Sequence, residues 1–189
     1  MYGLMNRAVE DLILERFGED AWTAIKTRAG ITEEIFLSMK MYPDAITHGL
    51  LDAASETLEV PADQLLETFG EYWTLYTASR GYGQIFQRTG HTFREFMLNL
   101  YGLHVEVLVG FPELLSPSFW CVEEGPSLLR LHYQSSRPGL APMVVGAVRG
   151  LGTMFATETT VTHVVHSDGG ADHDEFQVAF APRPEPASS

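Results

Sequence analysis

The segment LHYQSSRPGLAPM, Leu131–Met143, carries Tyr133, Ser135 and Arg137 at every second position. Residues two apart on a strand project from one face, so an extended chain would set two hydroxyls and a guanidinium in a row. Arg suits planar, bidentate recognition of a carboxylate, and Tyr and Ser add neutral donors. Leu129 and Leu131 share the parity of this row, so the face begins apolar and ends polar. The plain reading is an exposed polar strand face. The chemical reading is a cradle for an anionic group lying against the interior.

His104 is the second residue of interest. Phe93, Phe96, Met97, Leu100, His104 and Leu108 follow i, i+3, i+4 steps, which stack side chains on one helix face. A lone histidine on such a stripe is most often a satisfied core residue. An imidazole in apolar surroundings tends to lose its charge and needs a partner for each ring nitrogen. A metal is one such partner. One histidine is too few for a zinc site built from three or four protein ligands. It is the number that a haem takes on its proximal side, and the two propionates of a haem match the donor row.

A third stretch, THVVHSDGGADHDEF, groups His163, His166, Asp168, Asp172, His173 and Asp174. It lacks the twelve-residue calcium spacing with its closing Glu. Its Asp-Gly-Gly run is ordinary hairpin chemistry, and it reads as a turn. Enzyme signatures such as G-x-S-x-G, H-E-x-x-H and a Walker-type phosphate loop are missing, so a binding protein is expected, not an enzyme. The acidic pairs Glu33-Glu34 and Glu123-Glu124 read as solvated faces.

Composition narrows the classes. A net charge of −13, from 25 acids against 12 scattered bases, argues against nucleic acid as a ligand. The single cysteine, Cys121, excludes an internal disulfide and a Cys-based zinc cluster, and reads as a small buried hydrophobe. No apolar run approaches the roughly 20 residues of a membrane helix. The N-terminus is amphipathic and carries acids, unlike a signal peptide. A soluble, cytoplasmic protein is expected.

The elements that must position these residues are legible as a change of period. Helices are expected over YGLMNRAVEDLILERFG, GEDAWTAIKTRAG, ITEEIFLSMKMYP, DAITHGLLDAASETLEV, PADQLLETFGEYWTLYTAS and YGQIFQRTG. One long helix, HTFREFMLNLYGLHVEVLVGFP, carries His104 and ends at Pro112. The period then shifts towards two: SFWCVEE and SLLRLHYQSSR form a hairpin, GLAPMVVGAVRGLGTMFA a helix on the sheet, and ETTVTHVVHS and HDEFQVAFA two further strands. The fold class is α+β, with a helical N-terminal lobe and an antiparallel sheet of about four strands in the C-terminal lobe. One domain spans residues 1–180, its helical lobe over about 1–65 and the second lobe over about 66–180, followed by a disordered tail at 181–189.

MYGLMNRAV, FGEYWTLYT, NLYGLHVEV and LHYQSSRPGLAPMVVGAVRGLG together resemble the haem nitric oxide/oxygen-binding (H-NOX) family, which includes the sensor domain of soluble guanylate cyclase. The chain is most similar to stand-alone cyanobacterial members. The resemblance implies haem b (iron protoporphyrin IX) between the two lobes and makes His104 the proximal iron ligand. Tyr133, Ser135 and Arg137 become the propionate clamp, and Pro117, in LLSPSF, matches the proline that presses on the porphyrin. Family members that hold oxygen place a tyrosine on the helix after the Y-x-S-x-R strand. Here PGLAPMVVG has none, and Met143 falls near that position. Trp73 resembles a distal-pocket position, where its indole either packs sterically or donates a hydrogen bond.

The function so implied is a sensor of nitric oxide and carbon monoxide that excludes oxygen. It would signal through weakening of the Fe–His bond and movement of the lobes. The alternatives are an oxygen sensor with Trp73 as distal donor and a haem protein that scavenges nitric oxide. With no output domain in these 189 residues, a partner is expected: a histidine kinase, a cyclic-nucleotide enzyme or a chemotaxis protein.

Overall fold

In the computed structural model, residues 1–111 and 115–183 are described. Helix α1 (Gly3–Phe17) buries Ala8, Val9, Leu12 and Ile13 along one face and stops at Gly18. Helix α2 (Glu19–Arg28) starts with Glu19 and Asp20 and ends with Lys26 and Arg28, an order that complements the helix dipole. Helices α3 (Asp44–Leu58) and α4 (Ala62–Thr77) each follow a proline. The four pack around Leu12, Ile25, Leu50 and Phe69, the first of two apolar cores.

The third helix expected over residues 31–43 does not form. Its backbone instead runs beside the start of the chain. The Gly3 N–H donates to the Lys40 carbonyl at 2.8 Å, and the Tyr42 N–H to the Met1 carbonyl at 2.8 Å. These bonds satisfy backbone groups that a helix would have paired internally. Phe36 and Tyr42 are the anchors, buried with their rings edge-on at 5.4 Å.

Helix α4 passes through a π-helical turn (Ala78–Tyr82) into α5 (Gly83–Thr89). The single long helix expected next is two, α6 (Phe93–Leu98) and α7 (Leu100–Gly110). The cause is Asn99, at φ −98° and ψ 6°. Its side-chain amide donates to the Thr89 carbonyl at 2.8 Å, which bends the backbone there while Asn99 keeps its ladder bonds to the Glu95 carbonyl and from the Leu103 N–H, each at 3.1 Å. The expected stop at Pro112 lies outside the described residues.

Strands β1 (Ser118–Gly125), β2 (Leu128–Gln134), β3 (Thr157–Val165) and β4 (Asp174–Pro182) form one sheet in the order β1-β2-β4-β3, antiparallel throughout. Helix α8 (Ala141–Met154) lies between β2 and β3 in sequence. Alternation on β2 and β4 turns Leu129, Leu131, Tyr133, Phe176 and Val178 inward, where they join Phe93, Phe96 and Met97 in the second core. Two boundaries differ from expectation. Strand β4 continues through Pro182, two residues into the expected tail, whose residues 184–189 lie outside the described residues. Strand β2 ends at Gln134, because the Ser135 hydroxyl accepts the Arg137 N–H at 3.0 Å and closes a turn. Gly139, at φ 76°, completes the reversal into α8.

The cores meet at α4 and α8, which touch backbone to backbone. A Cβ on Gly146 would sit 1.8 Å from the Glu67 carbonyl oxygen, and one on Gly70 would sit 2.0 Å from that of Met143. Only glycine admits this approach. The Thr74 hydroxyl donates across the seam to the Ala147 carbonyl at 3.2 Å, and Arg149 pairs with Glu67 at 2.5 Å. The observed α+β architecture is the expected one.

Candidate functional site

Between the two cores lies a cavity of about 300 Å³, within the range of ligand pockets. Its walls come from α1, α4 and the π-helical turn after it, α5, α6, α7, α8, β1 and β2. All seven residues that the family resemblance places around the cofactor line it: Trp73, His104, Pro117, Tyr133, Ser135, Arg137 and Met143.

His104 comes from α7. Its Nδ1 lies 2.9 Å from the Leu100 carbonyl oxygen, which fixes that nitrogen as the N–H donor and leaves the lone pair on Nε2. Nε2 has no hydrogen-bond partner among the described residues. Burial in the apolar wall pushes the His104 pKa down and outweighs the opposing effect of the Leu100 bond, so the ring is neutral at neutral pH. The imidazole packs on Phe119 of β1, centroids 4.6 Å apart, and Phe119 packs on Tyr133 at 5.0 Å. This short aromatic chain links α7 to the sheet. Phe119 had no signal in the sequence beyond its strand parity.

The donor row is a strand end followed by a turn. Tyr133 stands on β2; Ser135 and Arg137 follow in the connection to α8. Burial pushes the Tyr133 phenol up, so it is a neutral donor. The Arg137 guanidinium donates through Nε to Asp44 Oδ2 at 2.6 Å and through Nη1 to the Leu115 carbonyl at 2.5 Å. Asp44 also accepts from the Met1 ammonium group. Its hydrogen bond from Arg137, more than any other influence, holds the Asp44 carboxyl below its usual range. Asp44 opens α3, 93 residues away in sequence, so sequence reasoning had no means of finding this pair.

The far wall is drier chemistry. Thr74 donates to the Gly70 and Ala147 carbonyls, and Thr77 to the Trp73 and Thr74 carbonyls, so both hydroxyls are committed to backbone. Trp73 tilts against Phe69 at 6.3 Å, and Met143 packs against the same first core. The indole N–H of Trp73 has no protein partner among the described residues. Pro117 is half-buried on the segment that leads into β1. Cys121, expected to be a small buried hydrophobe, is half-buried on β1, its thiol pushed up to about 12 by burial.

A haem fits these residues on two observations. An unpartnered imidazole lone pair faces an apolar cavity, and the donors at its rim match carboxylates. His104 would hold the iron; Tyr133, Ser135 and Arg137 would hold the propionates.

Comparison with known proteins agrees with this geometry. Residues 2–163 match the family model described as Haem-NO-binding. Among curated proteins, the chain is 30% identical over 162 residues to soluble guanylate cyclase gcy-31 of Caenorhabditis elegans, covering 85% of this chain and 23% of that one. It is 31% identical over 152 residues to gcy-32 of the same organism, covering 79% and 22%. The chain thus spans less than a quarter of the length of these relatives. Among solved structures, a mutant H-NOX protein from S. oneidensis in the Fe(II) ligation state superposes with a TM-score of 0.88 at 20% identity, covering 97% of this chain and 98% of that one. The Fe(II) unliganded H-NOX protein from K. algicida gives 0.81 at 21% identity, covering 100% of each chain. The fold, the cavity and the family match converge: this chain belongs to the Haem-NO-binding family, the H-NOX domains, which are haem-based gas sensors.

Proposed function

We propose that this chain senses nitric oxide, and binds carbon monoxide, at a haem b ligated by His104, and that it discriminates against oxygen. One observation carries the reading: the His104 ring is fixed by Leu100 with its free lone pair on Nε2, in the wall of an apolar cavity. A haem held there by His104 would supply the iron that binds a diatomic gas. Burial lowers the His104 pKa, so the ring takes a proton only at lower pH than a free imidazole. Tyr133, Ser135 and Arg137 orient the cofactor by its carboxylates.

Selectivity rests on the far wall. Bound oxygen gains from a hydrogen-bond donor, whereas nitric oxide binds strongly without one. The Thr74 and Thr77 hydroxyls are committed elsewhere, and Met143 offers no donor. A second reading, an oxygen sensor, is favoured by one observation: the Trp73 indole has no protein partner among the described residues. Absorption spectra of the ferrous protein in argon, air, carbon monoxide and nitric oxide separate the two. We expect no change in air and a marked change with nitric oxide; a stable oxy complex overturns the selectivity.

The response is carried by α7, whose buried residues are only Leu100 and Leu103. Because so little of α7 is buried, a change in what holds His104 would let this helix shift against the sheet and so bias a two-state element. The readout is a partner, a histidine kinase or a cyclic-nucleotide enzyme. The names of the curated relatives, soluble guanylate cyclases, support the latter and a cytoplasmic setting. Among the described residues no helix is long and apolar enough to cross a membrane.

A further inference from the structure

Behind the cavity wall, on the outer face of the sheet, three potential metal ligands converge. His132 is the neighbour of Tyr133 on β2 and therefore projects from the opposite face. Its cross-strand partner is Glu175 of β4, and His173 enters from the residues just before that strand. His132 Nδ1 and His173 Nε2 are 2.9 Å apart; Glu175 Oε1 lies 3.7 Å from the first and 3.5 Å from the second. All three side chains are half-buried, and they are the only such group of three among the described residues.

We propose that His132, His173 and Glu175 bind a divalent transition-metal ion, best suited to zinc, separate from the haem cavity. The spacing carries the argument. A tetrahedral zinc, with nitrogen and oxygen ligands at about 2.0–2.1 Å, sets its donor atoms roughly 3.3 Å apart. The three observed separations straddle that value, so an ion enters with small side-chain adjustments. The surroundings are those of a metal site. Asp172 Oδ1 accepts the His173 Nδ1–H at 2.6 Å, the carboxylate–histidine arrangement that turns the other ring nitrogen towards a metal. Arg130 Nη1 lies 3.5 Å from Glu175 Oε2 and leaves Oε1 facing the histidines. Trp120 stacks flat on His132, centroids 4.8 Å apart and 2° from parallel, and holds that ring in place. His132 becomes a ligand by moving its proton from Nδ1 to Nε2. Three ligands leave a fourth position for water, and two imidazoles with one carboxylate favour zinc over calcium or magnesium.

The nearby His163 belongs elsewhere. It bonds Asp174, which Ser167 also holds through its N–H and hydroxyl, so that cluster is internally satisfied. An ion at the proposed site would pin β2 to β4 on the face opposite Tyr133.

The test uses the haem-loaded chain, stripped of other metals by a chelator and titrated calorimetrically with Zn²⁺, with bound zinc counted by elemental analysis. We expect one zinc per chain and a rise in the thermal midpoint on binding. His173→Ala and the isosteric Glu175→Gln should each weaken binding at least about tenfold, the lower end of what even an outer-shell change costs. Their haem absorption should match the wild type, and His166→Ala should bind zinc normally. Absence of saturable binding by the wild-type chain overturns the proposal, and this result needs no variant. So does unchanged affinity in Glu175→Gln, or loss of the zinc in His166→Ala.

Discussion

The two walls of the cavity are built on opposite principles. The α4–α8 seam is backbone on backbone, admitted by Gly70 and Gly146 and tied by Thr74 and by the Glu67–Arg149 pair. The α7 wall buries only Leu100 and Leu103 and leaves Tyr101, Val105 and Val109 to solvent, Val109 at 83% exposure. One wall cannot shift without steric conflict, and the other is held by little. A sensor needs both: a fixed frame against which a ligand is measured, and an element whose position can change at small cost.

The largest effect should come from His104 on the loose wall, the proposed iron ligand. His104→Gly should purify without its pigment, and added imidazole should restore the absorption band. A variant that keeps an unchanged spectrum without imidazole would assign the axial bond to another residue.

Next comes the rigid seam. Gly146→Ala forces a methyl against the Glu67 carbonyl and should cost about 3 kcal/mol, the upper end for an overpacked interior. For a chain of this size that lowers the thermal midpoint by roughly 6–12 °C. Val109→Ala on α7 should change stability by less than about 0.5 kcal/mol. Equal effects at the two positions would erase the contrast between the walls.

A smaller effect is expected at the clasp between α3 and the β2–α8 connection. Asp44 has a lowered folded pKa, so its contribution is present above its unfolded pKa and is lost as pH falls through the folded value. Asp44→Asn should therefore flatten the acid limb of the stability profile measured by denaturant. At neutral pH it should cost less than about 1 kcal/mol, because the carboxylate is partly solvated. The smallest effect is at Trp73. Trp73→Phe should leave the spectrum in air unchanged; an oxy complex present in the wild type and lost in this variant would make the indole a donor.

Much of this is legible in the sequence. Strong periodicity located α1 to α5, the four strands and α8, because these elements bury one regular face each. The parity of Leu129, Leu131 and Tyr133 correctly gave the inward face of β2. Failures arose where long-range partners overrode local pattern. Residues 31–43 have apolar spacing suited to a helix, yet their backbone is claimed by the first residues of the chain. Asn99 sits within an unbroken apolar rhythm, and only its bond to Thr89 reveals the break. The Arg137–Asp44 pair and the His132–His173–Glu175 group are products of chain crossing and strand register, which no local window contains. The histidine-rich stretch reads as a turn from its Asp-Gly-Gly run and its lack of calcium spacing, and a turn at Ser167–Gly169 forms there. His132, which meets His173 at 2.9 Å, lies 41 residues earlier on β2.

The break at Asn99 has a mechanical corollary. With 1.5 Å of rise per residue, His104 stands about 7 Å along α7 from that pivot and Gly110 about 16 Å. Were α7 to turn about this bend under the proposed mechanism, its tip would travel roughly twice as far as the point where it is pulled. A sub-ångström tug on one ring nitrogen would reach the outer end as a displacement large enough for a neighbouring molecule to feel.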